Sequence, residues 1–80
     1  MKTINVQYFA LLRDEAGRET ESFATAGLTY RNLYEELRGI RSFTLPPEMI
    51  QVAVNDEFVR MDEVIADGAR VVFIPPVAGG

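Results

Sequence analysis

The chain has 80 residues, 48% of them hydrophobic and 25% charged, which suits one small folded domain and argues against disorder. Its net charge of −4 makes nucleic acid a poor partner, because a phosphate backbone repels an acidic surface. The absence of cysteine and histidine removes the thiolate nucleophile, the commonest general base and the commonest metal ligands, so we expect no metal site. Without an apolar run of roughly 20 residues or a signal-peptide pattern, a cytoplasmic location is expected.

The first part of the chain predicts a strand, a short helix and a second strand. Residues 3–8 alternate polar and apolar side chains, which is the period of a half-buried strand. At 9–16 the apolar spacing becomes helical, and Gly17 is expected to cap this helix at its C-terminal end. Residues 20–24 are β-prone and are predicted to pair back on the first strand.

The clearest pattern in the sequence is a longer helix that begins after Thr29. Threonine is a favourable N-cap, and Gly39 is predicted to end the helix. Four apolar residues follow at helical spacing, namely Tyr30, Leu33, Tyr34 and Leu37. This stripe predicts a helix face that packs on a sheet.

A hairpin is predicted after an irregular segment at 40–48. Residues 50–54 alternate as a strand, and 57–59 form the return strand. Asn55 and Asp56 between them tolerate the positive backbone angles of a tight turn.

The final strand is predicted at 70–74, after a turn at Asp67–Gly68. Its unbroken apolar run at 71–74 is typical of a strand that is covered on both sides in the middle of a sheet. We therefore predict an α+β fold in which one mixed sheet carries the long helix across one face. The first and last strands are the best candidates for neighbours at the sheet centre, but periodicity does not give their relative direction. The domain is expected to span 1–74 and to be followed by a tail at 75–80.

The tail has an unusual chemistry. Its two prolines lack amide hydrogens and favour an extended neck, and its six residues reach at most ~20 Å. The diglycine end can pass a narrow slot, and its carboxylate becomes reactive only if an ATP-using enzyme adenylates it. We predict that the end is the working group and that the residues before it insert into a partner. These inserting residues are Pro75, Pro76, Val77, Ala78 and Gly79, and they precede Gly80.

Residues 73–80, Phe-Ile-Pro-Pro-Val-Ala-Gly-Gly, resemble the end of the molybdopterin synthase small subunit family. Residues 6–14 and 52–55 and the pair Asp67–Gly68 resemble it as well, so the resemblance covers nearly the whole chain. It implies a ubiquitin-like β-grasp fold, with the first and last strands parallel at the sheet centre.

The same resemblance implies a sulfur carrier. Gly80 would be adenylated by an enzyme related to ubiquitin-activating enzymes and converted to a thiocarboxylate by a sulfur donor. The tail would then enter the large synthase subunit, in a heterotetramer, and give its sulfur to precursor Z, the cyclic pyranopterin monophosphate. The chain itself would bind no cofactor and catalyse nothing alone, since ATP is used by the activating enzyme.

A docking surface is expected at the base of the tail. Phe9, Phe58 and Ile74 occupy positions that resemble the apolar contacts of the family, and Arg13 and Asp14 are expected at its rim. The alternative that the three apolar residues are simple core remains open at this point.

Three other functions are compatible with the sequence. They are a sulfur carrier for thiamine thiazole or another pathway, a protein modifier that joins its C-terminus to lysines, and a plain interaction module. The chain has one lysine, Lys2, against seven arginines. This bias is either compositional drift or an advantage for a chain whose own activated end would acylate amines.

Overall fold

The computed structural model describes residues 1–76. Val77, Ala78, Gly79 and Gly80, which include the predicted reactive end, lie outside the described residues. The elements in chain order are β1 (Lys2–Tyr8), α1 (Ala10–Ala16), β2 (Thr20–Thr25), α2 (Tyr30–Arg41), a short 3-10 helix (Pro47–Met49), β3 (Gln51–Val54), β4 (Glu57–Val59) and β5 (Arg70–Ile74).

The five strands form one mixed sheet in the order β2-β1-β5-β3-β4. The strands β1 and β5 are parallel, with Val6 opposite Val71 and Tyr8 opposite Phe73, and the other neighbours are antiparallel. The prediction of a mixed sheet with the last strand at its centre is therefore confirmed. The parallel direction that the resemblance implied is confirmed as well.

Helix α2 begins as predicted at Thr29. The Thr29 hydroxyl accepts a hydrogen bond from the Asn32 backbone N–H at 3.2 Å, and the Asn32 side-chain oxygen accepts one from the Thr29 N–H at 3.1 Å. This reciprocal capping satisfies donors that an open helix end would leave unpaired. The predicted stripe is buried throughout and packs into the core with residues of the sheet: Tyr30, Leu33, Tyr34 and Leu37. Each such side chain contributes about 1.5–3 kcal/mol of transfer free energy.

Aromatic rings join this helix to the sheet. The ring of Tyr34 lies edge-on to Phe73 of β5 at a centroid distance of 5.3 Å. It also stacks on Phe43, which contacts Tyr8 of β1 at 5.5 Å. The packing fixes the end of α2 against the ends of the two central strands.

The prediction that Gly39 ends α2 was wrong. The helix continues to Arg41, and Ser42 ends it with a left-handed backbone at φ 60°. An interior glycine costs only about 1 kcal/mol relative to alanine. That cost is outweighed here by buried Leu37 before it and by Arg41 after it, which binds Glu21 of β2. By contrast, the predicted cap at Gly17 is confirmed, with φ 72° at the end of α1.

The two faces of the sheet differ. Both α-helices contribute buried residues to one core cluster, so they cover the same face of the sheet. We call the opposite face, which carries no α-helix within residues 1–76, the open face. The strand registers place Val72, Ala53 and Phe58 side by side on the open face. Val72 is only 9% exposed, so β5 is buried on both sides at 71–73 as predicted, whereas Ile74, which the prediction also included, is partly exposed. Neither helix in the described part of the chain is long and apolar enough to cross a membrane.

Candidate functional site

The base of the tail is held by the central strand. Ile74 ends β5 opposite Gln51 of β3, and Pro75 and Pro76 follow without strand structure. Proline has no N–H to donate, which explains why the ladder stops here. Pro75 is buried and Pro76 is exposed. The neck therefore leaves the domain from its best-anchored strand.

An apolar groove of about 680 Å³, which we call the tail groove, lies beside this neck. Its lining comes from three segments, the start of α1, the loop after α2 and the end of β5. The lining residues are Phe9, Ala10, Leu11, Arg13, Leu45, Ile74, Pro75 and Pro76. Arg13 contributes the one charged side chain among them, so the groove suits an apolar segment with an acidic or polar edge.

The junction of β1 and α1 forms one wall of the tail groove. Phe9 is extended, and Ala10 turns the chain with a positive φ of 50°, which costs an L-residue about 1–2 kcal/mol. Leu12 is completely buried in the core. Phe9 and Leu11 are each 42% exposed, a large fraction for such apolar side chains. The wall therefore presents apolar surface that the core does not use.

The opposite wall is held by hydrogen bonds. The hydroxyl of Tyr34 donates to the Leu45 carbonyl at 2.8 Å, and burial raises the pKa of Tyr34 to about 12, so this donor stays protonated at neutral pH. Thr44 donates to Glu15 of α1 through its backbone N–H at 3.2 Å and its hydroxyl at 2.7 Å. The loop that carries Leu45 is thus tied to both helices.

A cluster of charged and polar side chains lies at the end of β1, immediately before the wall formed by Phe9. Glu21 of β2 accepts hydrogen bonds from the Tyr8 hydroxyl and from Arg41, and Arg18 lies 3.5 Å from it. Burial alone would raise the pKa of Glu21, but the hydrogen bonds from Arg41 and Tyr8 hold it below its usual value. Burial together with Glu21 raises the pKa of Tyr8. The cluster joins β1, β2 and α2 immediately before Phe9.

A smaller hollow of about 240 Å³ lies on another side of the neck, next to the start of β3. Its lining comprises Met49, Gln51, Ile74, Pro75 and Pro76. The neck therefore contacts two hollows that share Ile74 and both prolines. The sequence analysis missed Met49, Leu11 and Leu45 as lining residues. Leu11 could have been found as an apolar residue outside the buried face of α1, and Leu45 and Met49 as apolar residues that flank Pro46 and Pro47.

The structure brings together three of the five residues predicted for the docking surface; Asp14 is exposed on α1 and does not line the tail groove. Phe9, Arg13 and Ile74 all line the tail groove. Phe58 does not line it; it lies on edge strand β4, two strand spacings or roughly 10 Å from β5. Phe58 is 70% exposed, so neither it nor Phe9 is a simple core residue. Contact of these residues with a partner stays a prediction.

The tail groove has the chemistry of a docking site. Arg13 carries a guanidinium, which has no acceptor and does not act as a base in proteins. Within residues 1–76, no group of three or more acidic side chains is arranged to hold a metal ion, and no buried side-chain polar atom lacks a hydrogen-bond partner. The site offers a partner an apolar surface beside the neck.

A mixed five-stranded sheet with this order and with a helix across one face defines a ubiquitin-like β-grasp protein. Comparison with known sequences then gives the family. The model of the ThiS family matches residues 6–80, and the chain belongs to this family.

Relatives are similar over their whole length. The molybdopterin synthase sulfur carrier subunit of Mycobacterium tuberculosis is 36% identical over 87 residues, with both chains covered completely. The putative molybdopterin converting factor subunit 1 of Pyrococcus furiosus is 27% identical with a TM-score of 0.76, over 96% of this chain and 100% of that one. SAMP1 of Haloferax volcanii is 26% identical with a TM-score of 0.77, over 98% of this chain and 99% of that one. The predicted resemblance and the β-grasp fold are confirmed.

Proposed function

We propose that this chain is the sulfur carrier subunit of a molybdopterin synthase and acts in the cytoplasm. The observation that carries the proposal is the end-to-end similarity to the mycobacterial protein of that name. The match to the family model runs through Gly80, so it includes the tail as well as the domain. The tail groove at the base of the neck supports the same role, because a carrier must be held by several partners in turn.

The proposed chemistry takes place at the carboxylate of Gly80. A carboxylate oxygen attacks the α-phosphate of ATP in an activating enzyme, which forms the acyl-adenylate and releases pyrophosphate. A sulfur donor then displaces AMP and leaves a thiocarboxylate. In the synthase this sulfur is transferred to precursor Z, and Gly80 returns to a carboxylate with oxygen from water.

In this scheme the domain supplies the docking surface and the partners supply the catalysis. The apolar side chains of Phe9, Leu11 and Ile74 would pack on the large synthase subunit while the tail enters its active site. Phe58 would extend the contact along the open face. Two carriers bound to a dimer of large subunits would give the heterotetramer.

The junction after β1 favours the molybdopterin pathway over thiamine thiazole synthesis. Carriers of the thiamine type typically join their first two strands by a tight turn. This chain places α1, Ala10–Ala16, at that point, and α1 provides one wall of the tail groove. We therefore expect the partner surface to match a helix-containing junction.

Intact mass spectrometry tests the proposal directly. The full chain is incubated with its activating enzyme, ATP and a sulfur source, and one oxygen should be replaced by sulfur at Gly80. The product should then convert precursor Z when the large subunit is added. Free acid alone would contradict the proposal.

The matched control changes only the end of the tail. Deletion of Gly80 should abolish sulfur transfer while the far-UV circular dichroism spectrum stays unchanged, because the deleted residue follows the domain. Retained transfer by this variant would show that Gly80 is not the carrier residue.

A protein modifier is the second candidate, and the similarity to SAMP1 favours it. A modifier would leave lysine adducts of Gly80 on other proteins in cells, which tryptic peptide mapping detects as a branch of residues 71–80, because Arg70 is the last basic residue of the chain. Adducts without thiocarboxylate would favour this function over the carrier.

A further inference from the structure

We infer that the chain is protected against acylating itself, because its only side-chain amine lies at the far end of the sheet and the tail groove carries a guanidinium instead. The inference rests on the proposed function, since only an activated Gly80 would need such protection. It assigns Arg13 a role in selectivity, because its guanidinium supplies a positive charge in the tail groove without attacking the activated carbonyl of Gly80.

The position of Lys2 follows from the parallel pairing of β1 and β5. Tyr8 is level with Phe73, so the starts of both strands lie at the sheet end opposite to the neck. Lys2 lies six positions before Tyr8 along β1, which places it roughly 20 Å from the level of Phe73. Its ammonium also donates a hydrogen bond to the carbonyl of Ile65.

The length of the tail sets what Gly80 can reach. Four residues beyond Pro76 span at most ~14 Å when fully extended. That is less than the distance back along β5 to the level of Lys2. Arg13 lies within this reach, because it lines the same groove as Pro75 and Pro76.

The reactivity of the side chain at position 13 towards the activated carbonyl differs between arginine and lysine. A lysine would supply the same charge, but its deprotonated amine attacks an activated carbonyl. The C–N bond forms, the bond from the carbonyl carbon to its leaving group breaks, and the amine proton passes to solvent. The guanidinium of Arg13 stays protonated and does not react in this way.

The composition agrees with this placement. All seven other basic residues are arginines, and the chain contains no lysine after residue 2. Two of them, Arg18 and Arg41, pair with Glu21 on β2, which is level with Val6 and Val71 in the sheet. The cation that lines the tail groove, Arg13, is likewise a guanidinium and a poor acyl acceptor.

The test uses the full chain with a chemically prepared thioester of Gly80, formed with a small thiol. No activating enzyme is needed, so its result does not depend on whether the carrier function is correct. The wild-type thioester, kept at about 10 µM and neutral pH, should yield hydrolysed acid with little amide. Arg13→Lys should yield an internal amide, one water lighter than the acid, about a hundredfold faster than any adduct of the wild type, because a short tether gives effective concentrations near 1 mM.

Two further variants make the test specific. Leu11→Lys places an amine elsewhere in the tail groove and should also cyclise, whereas Ala24→Lys, at an exposed position level with Thr3 at the far end of the sheet, should behave as the wild type. Peptide mapping locates each amide and separates Lys2 from the α-amine of Met1. Adducts of Lys2 that form as fast as the Arg13→Lys product would overturn the inference. So would folded Arg13→Lys and Leu11→Lys chains that both fail to cyclise.

Discussion

On the helix-covered face of the sheet, Tyr8, Val71 and Phe73 are completely buried, whereas on the open face the equally apolar Phe58 is 70% exposed. The two sets differ in the side of the sheet to which they point and also in strand position, because Phe58 lies on edge strand β4 whereas Val72, on the open face of central β5, is only 9% exposed. In a domain of this size, little apolar surface is available for the core. The contrast teaches that the covered face holds the fold together, whereas the outer part of the open face, at Phe58, is available for recognition.

The largest predicted effect is on the covered face. Leu37→Ala removes a completely buried side chain of α2 and should lower the free energy of unfolding by about 2–5 kcal/mol. Urea denaturation followed by circular dichroism measures the change. Ile40→Ala, at a 54% exposed position of the same helix, is the control and should cost less than about 1 kcal/mol. Equal losses in the two variants would refute the assignment of the faces.

The next effect concerns the cluster at the edge of the covered face. Glu21→Gln weakens the charged hydrogen bonds with Arg41 and Tyr8 and should lower the free energy of unfolding by about 1–3 kcal/mol at pH 7. The folded-state pKa of Glu21 is lowered, so its contribution is present above the unfolded value of about 4.3 and is lost as the pH falls through the folded value.

Unfolding measurements between pH 7 and pH 3 test this sign. The wild type should lose stability on acidification more steeply than Glu21→Gln does. Glu57→Gln, an exposed position in β4, should keep the wild-type slope. A wild-type slope in the Glu21 variant would show that this carboxylate does not contribute.

A smaller effect is expected on the outer surface of the covering helix. Gly39 lies inside α2, and an added Cβ there would meet no atom within 4 Å. Gly39→Ala should therefore stabilise the protein by about 0.5–1 kcal/mol, measured as a higher urea midpoint. Gly17→Ala is the matched opposite, because its φ of 72° is strained for alanine, and it should destabilise by about 1 kcal/mol.

The smallest change in stability is predicted for the open face. Phe58→Ala should alter the free energy of unfolding by no more than about 0.5 kcal/mol, because the side chain is mostly in solvent. It should nevertheless weaken binding to the large synthase subunit about tenfold, as measured by calorimetry, if this face is part of the interface. Unchanged affinity would exclude Phe58 from it.

Most of the fold was accessible from the sequence because local patterns and tertiary packing agree. The stripe of α2, the cap at Thr29 and the turn at Asn55–Asp56 all formed as predicted. The prediction for Gly39 was wrong because the weak tendency of glycine to end a helix was outweighed by tertiary contacts, such as that of Arg41 with Glu21. The parallel direction of β1 and β5 came from the resemblance, since a period of two is the same in either direction.

The candidate site was only partly predictable. The prolines and the apolar run before them indicated the neck, and Phe9, Arg13 and Ile74 do meet there. The wall at Leu45 was missed, because it depends on a hydrogen bond from Tyr34, eleven positions earlier. A groove built from three distant segments has no signal in any one of them.

The place of β5 in the sheet has a consequence for synthesis of the protein. It is the last described strand to leave the ribosome, yet it lies between β1 and β3 and supplies the pairing surface for both. A nascent chain interrupted before residue 70 would leave β1 without its parallel neighbour and β3 without an antiparallel one. Such a product is open to proteolysis, since its sheet cannot close. Molecules that survive as folded domains have therefore been translated at least as far as the strand that holds the neck.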